Sequence, residues 1–348
     1  MKSQDRPTTV TMADVAERAG VSRALVSIVF RGVRGASEES RERVMRAADE
    51  LAYRPDRRAR LLGSSRSRTI GVVFGLHREF HTEVVEQLYR TVEQGDFELA
   101  LGAVAPTRDE RTAVRSLLEF RCEALVLVGP TMPRRDLDEL AAQVPVVVLA
   151  RELRAPSVDV VRTDDEAGAR LAVEHLTGLG HRAIVHVDGH RAPGAAQRRR
   201  GYRAAMADAG LARHERIVRG GLGDEDSERA AAQLLSGRRR PTAVTAFNDH
   251  CAAGLLASAR QRDADVPREL SLVGYDDSHI AGLSSISLTT VAQDARALAE
   301  AALDRATLRA DDPAALPVQI VVPPHLVVRS TTAPPARERR TGAQRTAR

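Results

Sequence analysis

Three polar side chains stand just beyond segments that the sequence predicts to be β-strands. Asn248 follows the segment 243–247, Asp276 follows 271–275, and Arg198 follows a third strand and a loop containing Gly and Pro. In open α/β sheets, ligands bind beyond the carboxyl ends of the strands, so these side chains are candidates for one binding site. A planar guanidinium beside two oxygen acceptors suits a polyhydroxylated molecule such as a sugar. Asn and Asp are also favoured helix N-caps, so a capping role competes with ligand binding at Asn248 and Asp276.

A second set of candidate residues lies near the N-terminus, in a pattern typical of a helix-turn-helix. Thr11 can cap a first helix with Asp14 as its capping-box partner, and Gly20 can end that helix with a positive φ. Ser22 can cap a second helix that starts at Arg23 after a turn of a few residues. Two short helices joined so tightly cross steeply, which leaves the second N-terminus protruding, as in major-groove readers. A small helical bundle that binds no DNA is the alternative.

The same segment matches a family pattern at fixed offsets. The matching positions are residues 10–22, then Val26, Ser27, Gly32, Ser37, Arg41 and Val44, and in a hinge Tyr53, Pro55, Ala59 and Leu62. In these residues the chain resembles the DNA-binding headpiece of the lactose/galactose-repressor family. A single headpiece buries little surface, so the resemblance implies a homodimer on a near-palindromic operator in double-stranded DNA.

The resemblance also implies which headpiece residues contact the bases. It assigns base reading to Arg23, Ala24 and Ile28. Arg23 can make a bidentate contact to guanine, which is worth about 1–3 kcal/mol of discrimination. Ala24 can only touch a thymine methyl group. Ile28 and Arg31 replace the Arg and Asn that are common in relatives, which leaves the operator sequence open.

Other headpiece and hinge residues are expected to contact the DNA backbone and the minor groove. Phosphate contacts fix register without carrying sequence information, and we expect them from Thr11, Ser22, Ser27 and Arg31. In the family a hinge helix inserts a leucine into the minor groove. The matching positions here are Ala59 and Leu62, although an ordinary linker role is the alternative for Leu62.

From residue 69 the pattern changes to an alternation of strands and helices. Predicted strands cover residues 70–74, 98–104, 124–128, 146–150, 159–162, 183–188, 216–219, 243–247 and 272–275. Predicted helices cover residues 81–94, 108–119, 134–143, 166–179, 197–208, 226–236 and 249–262. This alternation implies parallel sheets with right-handed crossovers, and its repetition predicts two similar lobes.

The family resemblance extends over about residues 10–332, with matches in the second half that include Gly201, Tyr202, Asn248, Asp249 and the segment 274–277. It implies an α/β fold with a three-helix headpiece, a hinge helix and a two-lobed body like periplasmic binding proteins. The predicted domains are residues 1–55, the hinge and linker 56–68, the body 69–332 and a disordered tail 333–348. The chain is expected to cross between lobes near residues 163, 290 and 322.

The resemblance adds to the predicted effector site. In the family, an arginine at the position of Arg198 binds a hydroxyl or carboxylate group of the ligand, and the motif offset favours this role over the alternative of one exposed Arg among its neighbours. Asp164 lies beside the first crossing, where a hinge role competes with ligand contact. Phe80 is expected to stack on a ligand ring, and Gln293 is expected to face the cleft at the second crossing.

Charge is distributed unevenly along the chain. Residues 1–68 contain fifteen Arg and Lys against nine Asp and Glu, a net charge of +6, whereas the whole chain carries +5 and the remainder therefore −1. A basic head on a weakly acidic body is typical of a nucleic-acid-binding protein. Nearly all basic residues are Arg, with Lys2 the one lysine, so a single Arg is a weak functional signal.

No sequence motif points to an enzyme or a metal site. The glycines of 220–223 lack the dinucleotide-binding spacing, no Walker loop or H-E-x-x-H occurs, and the ten His are scattered. Cys122 and Cys251 fit buried free thiols in a reducing compartment. The N-terminus lacks the apolar core of a signal peptide, and the longest apolar runs are too short to span a membrane.

We therefore predict a cytoplasmic, homodimeric transcriptional repressor that is controlled by a small-molecule effector. The effector, a sugar or sugar derivative, would bind between the two lobes, and no cofactor or metal is expected. The alternatives are a solute-binding receptor without a DNA role and an α/β enzyme. The basic head disfavours the first alternative, and the missing catalytic motifs disfavour the second.

Overall fold

The chain forms two compact units, Met1–Ser67 and Arg68–Arg348. The computed structural model describes residues 10–30, 34–53, 66–93, 95–221, 224–236 and 240–336. Below, the second unit is called the body.

Within its described residues, the N-terminal unit contains helices α1 (Met12–Ala19), α2 (Arg23–Phe30) and α3 (Glu38–Glu50). The capping box predicted at Thr11 is present, with the Thr11 amide donating to Asp14 Oδ2 at 2.7 Å. Gly20 ends α1 with a φ of 65°, as predicted. Alanine and valine side chains form the small core: Val15, Ala16, Ala19, Val26, Val29, Val44, Ala47 and Ala48.

The body contains two six-stranded sheets, and each sheet is the centre of one lobe. The first lobe has the strand order β11-β5-β4-β3-β1-β2, with β1 (Thr69–Gly75), β2 (Glu98–Val104), β3 (Ala124–Val128), β4 (Val146–Leu149), β5 (Asp159–Thr163) and β11 (Gln319–Val322). All of its paired strands are parallel. Helices cover parallel sheets on both faces, which explains why β3 and β4 are apolar and buried throughout.

The second lobe has the strand order β12-β10-β9-β8-β6-β7. Its strands are β6 (Ile184–Asp188), β7 (Ile217–Arg219), β8 (Ala243–Ala246), β9 (Ser271–Asp276), β10 (Thr289–Ala292) and β12 (His325–Val327). Only β12 runs antiparallel to its neighbour among the strand pairs that the structure describes. The fold class predicted from the sequence, an α/β protein with two parallel-sheet lobes, is confirmed.

The helices of the first lobe are α4 (Glu79–Val92), α5 (Glu110–Glu119), α6 (Arg134–Ala141) and α12 (Ala295–Asp311). Those of the second lobe are α7 (Asp165–Gly178), α8 (Ala195–Asp208), α9 (Asp224–Leu235), α10 (Asp249–Arg260) and α11 (His279–Gly282), with a 3₁₀ turn at Ala212–His214. The elements α11, α12 and β10 to β12 were not predicted from the sequence.

The chain passes between the two lobes three times. It leaves the first sheet after β5, returns after β10 to form α12, and leaves again between β11 and β12. The core of the first lobe therefore joins distant parts of the sequence: Ile70 and Leu88 share one cluster with Leu298 and Ala302.

The packing of the body continues into the segment predicted to be a disordered tail. The carbonyl of Ala333 lies 2.8 Å from His181 Nε2 and accepts from Ser271 Oγ at 3.0 Å. These contacts hold Ala333 on the second lobe. Residues 337–348 of the predicted tail lie outside the described residues.

Candidate functional site

The N-terminus of α2 carries the side chains predicted to read base edges. Arg23 and Ala24 are exposed there, whereas Ile28 is half-buried. A Cβ atom built on Gly35 would lie 3.5 Å from Ile28 Cγ2, so Ile28 packs beside the loop that precedes α3. Two of the three predicted positions thus present their side chains to solvent.

Two of the hydroxyl groups predicted to contact phosphates also cap helices. Ser22 Oγ accepts from the Leu25 amide at 3.2 Å, and Thr11 Oγ1 accepts from the Asp14 amide at 3.4 Å. Their position at the start of α1 and α2 places them beside the positive ends of the helix dipoles. Ser27 is half-buried on α2. The remaining predicted DNA contacts, Arg31, Ala59 and Leu62, lie outside the described residues.

A cavity of about 320 Å³ opens between the two lobes of the body, at the carboxyl ends of their strands. We call residues 76–82 and Ala150, which line it from the first lobe, the first-lobe wall. The second-lobe wall consists of Pro193, Arg198, Phe247, Asn248, His250, Asp276 and Gln293. The cavity is large enough for a small organic ligand.

Arg198 is the central charged residue of the second-lobe wall. It lies on α8, is only 5% exposed, and donates from Nε to Asp165 Oδ1 at 2.8 Å and from Nη1 to the carbonyl of Phe247. Its guanidinium carbon is 3.5 Å from the ring centroid of Tyr275 and 4.7 Å from that of Phe247. Burial disfavours its charge, but Asp165 and Asp276 more than offset this effect and raise the pKa of Arg198. The guanidinium is therefore charged and held in a fixed plane.

Asp276 connects Arg198 to the strands on which the chain changes lobes. Its Oδ1 lies 3.8 Å from Arg198 Nη2 and accepts from Gln293 Nε2 at 2.7 Å, and Gln293 Oε1 accepts from Thr163 Oγ1 at 2.7 Å. Burial raises the pKa of Asp276 above its usual range, against the opposing charge of Arg198. A φ of 117° places Asp276 where side chains other than Gly are strained, and such strain clusters at functional sites.

Asn248 and Asp164 both act as helix N-caps. Asn248 Oδ1 accepts from the Cys251 amide at 2.9 Å at the start of α10, while Asn248 also lines the cavity. Asp164 Oδ1 accepts from the Ala167 amide at 3.1 Å at the start of α7 and is not among the described residues that line the cavity. Because α7 begins at Asp165, it is Asp165 that turns inward to Arg198, and a ligand contact by Asp164 stays a prediction.

The first-lobe wall is built from the end of β1 and the start of α4. Phe80 is buried in the core of the first lobe and also lines the cavity. His81 Nδ1 accepts from the Gly75 amide at 3.0 Å, so the neutral ring carries its proton on Nε2. Burial, and then the charge of Arg78, lowers the pKa of His81 to about 3. The ring is therefore a neutral donor at physiological pH.

Two carboxylates of α4 face the second lobe. Glu79 Oε2 accepts from Ser278 Oγ at 3.2 Å, and Glu79 Oε1 lies 3.9 Å from His250 Nδ1. Further along the helix, burial followed by the charges of Asp276 and Asp277 raises the pKa of Glu83 to about 7. The separation of the lobes therefore sets the environment of both groups.

Comparison with known proteins identifies the family of the chain. Residues 11–56 match the family described as bacterial regulatory proteins, lacI family, and residues 173–332 match a periplasmic binding protein-like domain. The HTH-type transcriptional regulator GalR of Escherichia coli (strain K12) is 34% identical over 94% of this chain and 97% of its own length. The chain belongs to the lacI family of bacterial regulatory proteins.

Solved structures of lacI-family proteins have the same fold. A LacI transcriptional regulator from a Rhodococcus species is 44% identical, with a TM-score of 0.75 over 77% of this chain and 100% of its own. The lac repressor dimer bound to operator and the anti-inducer ONPF is 28% identical, with a TM-score of 0.79 over 94% of this chain and 100% of its own. The predicted function, a helix-turn-helix transcriptional regulator with a periplasmic-binding-protein-like domain, is confirmed.

The structure brings together most of the residues that the family resemblance assigned to an effector site. Arg198, Asp276, Asn248, Gln293 and Phe80 line one cavity. Their roles toward a ligand stay predictions.

Sequence reasoning assigned no role in the site to Tyr275, Arg78 or His81. Tyr275 stood within the matched segment 274–277, so its place before Asp276 was a usable signal. Arg78 gave no such signal, because arginine is common throughout this chain.

Among the described residues, no helix is long and apolar enough to cross a membrane.

Proposed function

We propose that this lacI-family protein is a repressor whose affinity for operator DNA is controlled by a sugar or sugar derivative bound in the cavity between the lobes. The observation that carries the proposal is the buried guanidinium of Arg198, held between two aromatic rings and two carboxylates at the edge of that cavity. Such a preorganised fork, with Asp276 as acceptor and Asn248 beside it, suits vicinal hydroxyl groups.

The proposed control acts through the angle between the lobes. Gln293 bonds both Asp276 and Thr163, so a ligand that moves Asp276 also moves the strand ends where the chain changes lobes. We expect this movement to alter DNA binding through the hinge and linker, residues 56–68. A differential interaction of about 1–3 kcal/mol with the two states is enough to change operator affinity 5- to 150-fold.

The proposed DNA contacts are those implied by the family resemblance. A homodimer, like the lac repressor dimer solved on its operator, would place two headpieces on a near-palindromic site. Arg23, Ala24 and Ile28 would face the bases. Thr11, Ser22, Ser27 and Arg31 would face the phosphates, and Ala59 and Leu62 would enter the minor groove.

We further propose that the protein binds its effector without converting it and works in the cytoplasm, where the operator is. The relatives reported above are transcriptional regulators, which supports a binding role. Chromatography of the effector after prolonged incubation with the protein should recover it chemically unchanged, and a new product would contradict this part of the proposal.

The test of the effector site is the substitution Arg198→Lys. Lysine keeps the charge but loses the planar fork, so effector binding should weaken at least about tenfold. Fluorescence anisotropy on an operator fragment selected from random DNA measures operator affinity with and without an effector found by thermal shift. The variant should bind operator normally and require a higher effector concentration to respond.

The control for that test is Arg203→Lys, on the same helix but on an exposed ion pair with Glu215. This variant should respond like the native protein. If Arg198→Lys also responds with native sensitivity, the effector does not bind where we place it.

A further inference from the structure

We propose that the effector carries an anionic group and that Arg78 on the first-lobe wall binds it. The ligand class is a hydroxylated carbon chain with a phosphate or a carboxylate, that is, a sugar phosphate or a sugar acid. The inference rests on the proposed function, because it assigns the chemistry of the same cavity.

Each wall of the cavity holds one arginine and one carboxylate, but the two walls differ in how far these charged groups are engaged. The carboxylates near the second-lobe wall are already engaged: Asp165 pairs with Arg198, and Asp276 accepts from Gln293 and lies 3.8 Å from Arg198. This wall suits hydroxyl groups, which can both donate and accept.

Arg78 is the charged group on the first-lobe wall that lacks such a partner. Its side chain is half-buried and lines the cavity, yet no ion pair or side-chain hydrogen bond joins its guanidinium to another described residue. Burial lowers the pKa of Arg78, against the attraction of Asp276, but an arginine stays charged. A partly desolvated charge of this kind is stabilised by an anion, and the guanidinium fork fits phosphate and carboxylate oxygens in pairs.

The start of α4 adds neutral donors at the same place. Arg78 is the N-cap residue of this fourteen-residue helix and makes no side-chain capping bond, so the first amides of α4 have no cap. Free amides at a helix N-terminus and the helix dipole both favour an anion. His81 on the first turn supplies a further neutral N–H, since its Nδ1 accepts from Gly75.

The backbone beneath Arg78 is shaped to hold it against the cavity wall. A Cβ atom on Gly75 would lie 2.9 Å from Arg78 Cγ, so the glycine gives the Arg78 side chain room to pack over the end of β1. The one acidic residue of this wall, Glu79, is directed to Ser278 and His250 of the second lobe. Its carboxylate oxygens therefore lie beside groups of the second lobe.

The experiment uses the full-length protein and matched ligands. The probes are inorganic phosphate, galactose, galactose 6-phosphate and galactonate, and the equivalent three forms of glucose, with thermal shift and calorimetry as readouts. We expect millimolar phosphate to raise the melting temperature, and at least one phosphorylated or acidic sugar to bind about tenfold more tightly than its neutral parent. Comparison of the sugar phosphate with the acid of the same sugar shows whether the anionic group is a phosphate or a carboxylate.

Three variants assign the effect to Arg78. Arg78→Gln should abolish the rise in melting temperature that phosphate causes by binding in the cavity. It should also remove the tenfold preference for a charged sugar over its neutral parent, while Arg78→Lys should keep part of both effects. The matched control is Arg154→Gln, an exposed arginine of the first lobe that does not line this cavity. Arg154→Gln should show the native response to phosphate and sugars, including any contribution from phosphate bound by the basic headpiece.

Other outcomes overturn the inference. A neutral sugar that binds at least as tightly as its charged forms, in an Arg198-dependent manner, refutes the anionic class but leaves the proposed function intact. A panel in which neither phosphate nor any sugar binds also refutes it. An anionic sugar whose affinity is unchanged in Arg78→Gln excludes Arg78 as its site.

Discussion

The two walls of the cavity differ in how far their side chains are satisfied before a ligand arrives. On the second-lobe wall, Arg198 and Asp276 are fixed by hydrogen bonds, aromatic contacts and burial. On the first-lobe wall, Arg78 has no ion-pair partner among the described residues, and α4 starts without a side-chain cap.

This difference separates two tasks of a binding site. A wall whose contacts are complete keeps its geometry and loses little entropy when a ligand binds. On a wall whose side chains lack partners, the ligand supplies the missing contacts. Such a wall therefore determines which ligand binds, and the environment of its side chains changes when the ligand arrives. We therefore expect substitutions on the second-lobe wall to cost stability, and substitutions on the first-lobe wall to change selectivity and pH response.

The largest expected effect is that of Asp165→Ala, which removes the ion-pair partner behind Arg198 of the second-lobe wall. It leaves the buried guanidinium of Arg198 without its 2.8 Å partner, and breaking a buried ion pair in this way typically costs about 3–5 kcal/mol. The neighbouring substitution Asp164→Ala removes only a helix cap, which costs about 1 kcal/mol. Urea unfolding of both variants measures the two losses, and equal losses would contradict the different roles of these adjacent residues.

The next effect tests the packing behind Arg198. A Cβ atom on Gly168 would collide with the Tyr275 hydroxyl and lie 2.9 Å from Tyr275 Cζ, so Gly168→Ala should lower the unfolding free energy by about 1–3 kcal/mol. Gly178 lies on the same helix with open space around it, and Gly178→Ala should be neutral or stabilise by up to about 1 kcal/mol. Thermal unfolding compares them. A Gly168→Ala variant as stable as the native protein would show that Tyr275 is free to move.

The smallest expected effect belongs to Glu83 of α4, which faces the second lobe. Its pKa is raised from 4.5 to about 7, so between these values the folded state keeps a proton that the unfolded state releases. The unfolding free energy should therefore fall as the pH rises through this range, and Glu83→Gln should remove that part of the slope. Because Glu83 is partly exposed, the variant should gain only about 1 kcal/mol at neutral to alkaline pH.

Urea unfolding at about pH 5 and about pH 8 provides the measurement for Glu83→Gln. Glu93→Gln, an exposed residue just after the same helix, is the control and should keep the native slope. Identical slopes in native protein and Glu83→Gln would mean that the lobes do not confine this carboxyl group.

Most of the fold could be predicted because strand and helix periodicities alternate clearly along the body. The predicted strand at 98–104 and the predicted helix start at Arg134 agree with β2 and α6. Helix α12 was missed because its buried face is largely alanine, as at Ala299, Ala302 and Ala306, and alanine is equally common on exposed helix faces. The burial of these alanines depends on packing against α4 and the first sheet, which local sequence does not encode.

The candidate site was predictable where a residue follows a strand or a family motif, as Arg198, Asn248 and Asp276 do. It was not predictable where one residue of spacing decides the direction of a side chain. Asp164 and Asp165 are chemically identical, and only the start of α7 determines which one caps the helix and which one meets Arg198. Partners that come from distant segments were likewise beyond sequence reasoning.

The repeated passage of the chain between the lobes has a consequence for synthesis on the ribosome. The first lobe begins with β1 but needs α12 and β11, which are translated only after nearly all of the second lobe. Until then the apolar side chains of Ile70 and Leu88 lack the helix that covers them in the finished protein. The nascent chain therefore carries an open apolar surface while the second lobe is being made, and such a surface favours aggregation.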